Sequence, residues 1–190
     1  MISDEMKTGW WSSELPGYRP HPGTLSTYTL FSYEDLPPIP ENIDNEFEWL
    51  KSQATKNHSL FENSYPDGSK PDFSKLVSIV SKARIDLPES LATFMHSLEL
   101  QRRVRSCTDC YLDVADFAVK TKGSAEGYLI HFLSDSQWVG HWYIHIDYRG
   151  NHCVVTSLNP YGFMLDDDSS TKHEIDMLEE EIWLCAPSFT

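Results

Sequence analysis

The hydrophobic period changes once along this chain, and that change limits the folds open to it. Up to about residue 100 apolar residues recur at helical spacing, and from Cys110 onward they alternate. Ile43, Phe47, Leu50 and Ala54 draw one helix face behind Asn42 as a cap. Phe73, Leu76, Val77, Val80 and Ala83 draw a second, capped by Asp72. Pro88 suits the first position of a third helix with Leu91, Phe94, Met95 and Leu98 on its buried side.

Beyond Cys110 the segments CYLDVADFAV, GYLIHFLSD, WVGHWYIHI, HCVVTSL and EIWLCA read as strands. Tyr128, Ile130 and Phe132 fall on one side of theirs, with Leu129, His131 and Leu133 on the other. The DYRGN between two of these runs is made of turn formers and predicts a hairpin. Helices followed by strands predict an α+β fold, an antiparallel sheet of about five strands with helices packed on one side.

Residues 1–40 cannot form a long helix, because six prolines fix φ and remove donors there. They read as an irregular, proline- and aromatic-rich arm that packs back on a single domain spanning 41–190. No apolar run approaches the ~20 residues needed to span a bilayer, and the N-terminus lacks a secretory leader pattern. The four cysteines are too few and unevenly placed for a disulfide framework, so the expectation is a cytoplasmic protein with reduced thiols.

Charge is unevenly spread over the net −14. Residues 1–50 carry nine acids and two bases, 51–159 twelve of each, and 160–190 eight acids and one base. Two acidic ends on a neutral middle disfavour nucleic acid and anionic membrane and favour a basic protein partner. The same acidity also serves solubility alone.

Signals for chemistry are weak. Cys107 and Cys110 form a CxxC with no second ligand pair at zinc spacing and no βαβ context for redox work. His141 and His145 form an HxxxH on a strand, where the two lie roughly 13 Å apart, so His131 or His152 would have to complete any metal site. No nucleophile elbow or nucleotide-binding loop occurs. The Arg102, Arg103 and Arg105 cluster reads as cover for a helix C-terminus, and Asp166 to Asp168 as a solvated loop. The expectation is therefore no enzyme, no cofactor and no bound metal, with a Cys/His metal enzyme as the outlying alternative.

The segments IDLPESLATFM, YLIHFLSDSQWVGHWYIHID and IWLCAPSF together resemble the SUKH superfamily, the Smi/Knr-like group of cell-wall regulators and toxin-immunity proteins. The resemblance covers roughly residues 73–190. It implies a twisted antiparallel sheet flanked by helices and a role in binding other proteins without catalytic residues. Members continue past the APSF-type segment into a further helix, whereas this sequence stops at Thr190, and the arm before residue 41 has no counterpart. The reading that follows is an immunity protein neutralising a basic, nuclease-type toxin, with a regulatory scaffold of the cell-wall-signalling type as the alternative. Asp166, Asp167, Asp168, Glu174, Asp176, Glu179 and Glu180 are the candidate partner-binding residues.

Overall fold

The structure, a computed structural model, describes residues 6–12, 29–31, 46–51, 74–104, 110–112, 115, 117–135, 137–162 and 174–186. Two short strands, β1 (Trp10–Ser12) and β2 (Thr29–Phe31), pair antiparallel. Among the described residues four short helices follow: α1 (Glu48–Lys51), α2 (Ser74–Lys82), α3 (Glu89–Met95) and α4 (Leu98–Gln101). The remaining strands are β3 (Tyr111–Leu112), β4 (Val119–Lys122), β5 (Gly127–Ser134), β6 (His141–Asp147), β7 (His152–Ser157), β8 (Ile175–Asp176) and β9 (Ile182–Ala186).

The helices form where expected but differ in detail. Phe47 stands before α1 with φ 58, so α1 begins at Glu48, while Asn42, Ile43, Ala54, Asp72 and Phe73 lie outside the described residues. On α2 Leu76 and Val80 are buried at helical spacing, whereas Val77 faces solvent. Pro88 is the residue that caps α3 (φ −53, ψ 134) rather than its first turn. Leu98 opens α4 behind Ser97, whose side chain accepts the Leu100 N–H. The buried Gln101 amide donates to Phe94 O and Met95 O, satisfying carbonyls left free where α3 ends. Arg103 Nη1 donates to Lys51 O, so a member of the arginine cluster does cover a helix C-terminus, that of α1. Arg105 lies outside the described residues.

The main sheet corrects the expected five antiparallel strands. Its order is β8-β4-β5-β6-β7-β9, with β3 paired to β5, and β8 runs parallel to β4, which makes the sheet mixed. CYLDVADFAV is two strands instead of one. Leu112 pairs with Leu133 and Val119 with Leu129, so seven steps on one side face four on the other. The two pairings therefore cannot belong to one continuous ladder. The strand expected from Trp138 begins at His141, for reasons given below.

Alternation divides the sheet into two buried faces. Ile130, Phe132, Trp142, Ile144, Ile146, Val154 and Cys185 pack under the helices with Leu76, Val80, Leu91, Phe94 and Leu100. A bulge between His131 and Leu133 turns Leu133 toward that same face. The other face carries Leu129, Tyr143, Cys153, Val155, Ile182 and Leu184, closed over by Met6, Ile175 and Met177. Thr8 bridges Leu184 in parallel, and Leu184 N and Gly9 N are both bonded across this edge.

Connectivity explains how the second face is enclosed. Asp176, on the β4 side, and Ile182, on the β7 side, are six residues apart. Such a segment reaches at most about 21 Å fully extended. A flat six-stranded sheet would hold its edge strands about 24 Å apart. The link is also folded, with Glu179 N and Glu180 N both donating to Asp176 O. The sheet therefore curls, and residues 177–181 form a strap across its concave side, with Met177 buried beneath.

Candidate partner-binding surface

Residues 174–181, β8 with its flank and the strap, carry four of the seven candidate residues. Glu174 pairs with Lys120, which holds the Glu174 carboxyl below the ordinary range and raises the Lys120 ammonium. Asp176 is consumed by the turn, its Oδ1 accepting Leu178 N at 3.2 Å. Glu180 is half-buried and accepts the Tyr161 hydroxyl at 3.1 Å. Glu179 is exposed, as is Glu181, which sequence reading passed over because its neighbour Ile182 opens a strand. Asp166, Asp167 and Asp168 lie outside the described residues.

One rung of the sheet sets what stands beside the strap. Ser134, His141, Ser157 and Ile182 pair in succession across β5, β6, β7 and β9. The loop 135–140, the turn 158–162 and Glu181 all leave the sheet from that rung, and Ser157 Oγ donates to Glu181 O at 2.7 Å. The Tyr143 hydroxyl ties the turn down, donating to Asn159 O at 2.8 Å and accepting Tyr161 N at 2.9 Å.

The loop 135–140 is organised by one buried carboxylate. Asp135, 1% exposed, accepts Gln137 N at 2.9 Å, Val139 N at 2.6 Å and Gly140 N at 2.7 Å. Charge-assisted bonds of this kind outcompete ladder bonds, so Trp138 to Gly140 form a turn instead of extending β6. Trp138 is held at φ 62, a region that bulky L residues rarely occupy. Trp138 and its neighbour Val139 are 40% and 41% exposed. Asp135 and Gly140 were legible as turn formers in SDSQWVG, but the apolar WV pair reads as strand.

Beneath the loop lies a buried polar chain. Ser134 Oγ bridges His131 Nε2 at 2.9 Å and His141 Nδ1 at 3.1 Å, and the Trp138 and His141 rings pack perpendicular at a 5.2 Å centroid distance. Burial lowers the His141 pKa, against the backbone of Trp138 and the charge of Asp135. His145 stands apart from this chain, 3.0 Å from Ala125 O and 3.3 Å from Thr121 Oγ1, and its pKa is also lowered by burial against the Ala125 bond and Asp147. Among the described residues, no three His, Cys, Asp or Glu side chains are grouped to hold a metal. Cys107 lies outside them, Cys110 is buried, and burial pushes the Cys153 thiol up to about 12.

A cleft of about 330 Å³ opens at the opposite end of the sheet, lined by Gly123, Ser124, Glu126, Asp147, Tyr148 and Arg149. Burial pushes the Asp147 carboxyl up, but bonds from Asn151 and Arg149 outweigh it and hold the pKa below the ordinary value. Those bonds, 2.8 Å from Arg149 N and from Asn151 N, build the β6–β7 hairpin that DYRGN predicts, with Gly150 at φ 83.

Among the described residues no helix is long and apolar enough to cross a membrane. No protein-family model matches the chain, and neither does any curated protein or solved structure.

Proposed function

We propose that the protein works by binding and not by catalysis, as an immunity protein of SUKH type that neutralises a basic, nuclease-like toxin in the cytoplasm. The observation that carries this is the strap: it displays exposed Glu179 and Glu181 on a segment held at both sheet edges. A nuclease is basic where it holds its substrate, and a fixed acidic ridge occupies such a surface in place of phosphates. The net charge of −14, concentrated toward both ends of the sequence, supports the same partner chemistry. Helices on one side of a curled sheet agree with what the SUKH resemblance implies. Asp166, Asp167 and Asp168, eight to ten residues before Asp176 in the sequence, add to the acidic surface in this reading.

The test is affinity capture from the native host, washed at low and then high salt, followed by association kinetics with the captured protein. A single basic nuclease or toxin-like protein released by salt is expected, and Glu179→Lys with Glu181→Lys slows its association and reduces the salt dependence. Association unchanged by both reversals removes the strap from the interface. Capture of signalling or cell-wall proteins transfers the surface to a regulatory scaffold.

A further inference from the structure

We infer that Trp138 and Val139 are the apolar anchor of the partner interface, seated in a pocket of a partner protein that is ringed by lysine or arginine. This deepens the proposed binding reading and rests on it.

Placement comes first. The loop 135–140 and the strap leave the sheet from the rung Ser134, His141, Ser157, Ile182, and the His141 and Ile182 backbones are two strand spacings, about 10 Å, apart. The exposed pair Trp138 and Val139 and the exposed Glu179 and Glu181 therefore stand on segments that leave the same end of the sheet, which gives that end an apolar tip and acidic neighbours. Protein interfaces concentrate binding energy in such aromatic tips and leave charge to the edge.

Rigidity is the second observation. An exposed tryptophan at φ 62 is strained, and the three amides bound by Asp135 hold it there. The ring already packs perpendicular to that of the buried His141, which reduces the side-chain freedom to be lost on binding. Charge complementarity selects the occupant. A second copy of this chain brings the same net charge of −14 and the same acidic rim, whereas a pocket bordered by cations meets both parts of the surface.

The experiment uses the full chain with benzoylphenylalanine in place of Trp138, irradiated in native-host lysate, and the cross-linked peptide is sequenced. The expected adduct joins position 138 to one protein, at an apolar peptide flanked by lysine or arginine. Against that purified protein, Trp138→Asn weakens binding by about 30-fold or more, mainly through faster dissociation and without changing the salt dependence. Asparagine tolerates positive φ, so the loop persists, and an unchanged circular dichroism spectrum verifies it. An adduct to a second copy, or affinity unaltered by Trp138→Asn, overturns the anchor. If Trp138→Asn leaves affinity intact while the Glu179 and Glu181 reversals slow association, the strap reading survives alone. The reverse pattern retains the anchor and removes the strap.

Discussion

Acidification from pH 7.5 to 5.5 should lower the stability of this fold, through His141 and His145. Both are buried, 0% and 1% exposed, and burial lowers both pKa values below the ordinary 6.5. The unfolded chain therefore binds protons that the folded chain refuses. Stability is full above pH 6.5, falls as the pH drops below it, and levels off at the depressed folded pKa. A histidine titrating at 6.5 only when unfolded favours unfolding by about 1.4 kcal/mol more at pH 5.5 than at pH 7.5. Two such groups give up to about 2.7 kcal/mol, against a typical domain stability of about 5–15 kcal/mol. Carboxylates do not confuse this window. Asp147, whose pKa is lowered, contributes stability above its unfolded value near 4 and loses it only below that. Urea unfolding followed by circular dichroism at the two pH values measures the effect, and a His141→Gln, His145→Gln double variant should flatten the dependence whatever its absolute stability. A wild-type change under about 0.5 kcal/mol, within the error of extrapolation, would refute the reasoning.

Three further substitutions probe the architecture. Asp135→Ala deprives the Gln137, Val139 and Gly140 amides of their acceptor and should lower unfolding free energy by about 2–4 kcal/mol; a loss under about 1 kcal/mol would mean the loop holds itself. Gly127→Ala puts a Cβ 2.2 Å from Ile146 O and 2.9 Å from Asp147 Cα, a backbone clash expected to prevent soluble folding. Gly150→Ala meets nothing within 4 Å and, strained only by φ 83, should lower stability by about 1 kcal/mol, so equal effects at the two glycines would contradict the described approach of β5 to β6.

How much could be read in advance follows from the range of the interactions involved. Leu76 with Val80, and Leu91 with Phe94 and Met95, lie within single helical turns, so their buried stripes were visible locally. The same holds for the alternation of Trp142, Ile144 and Ile146 and for the turn formers of DYRGN. The two-residue strand β8 has no period to detect, and only its pairing with β4, more than fifty residues earlier, makes it a strand. Trp138 and Val139 show the opposite failure: their apolar character suggested strand, and three amides gathered by Asp135 overrode it. Of the acidic residues, the sequence revealed number and sign, and could not tell Asp176 and Glu180, bound within the fold, from Glu179, which is exposed. Composition and period thus determined by themselves an α+β chain with acidic ends. Tertiary structure alone decided the curl of the sheet, the strap and the rung from which both the strap and the tryptophan loop leave, because those depend on register and on pairings between residues distant in the chain.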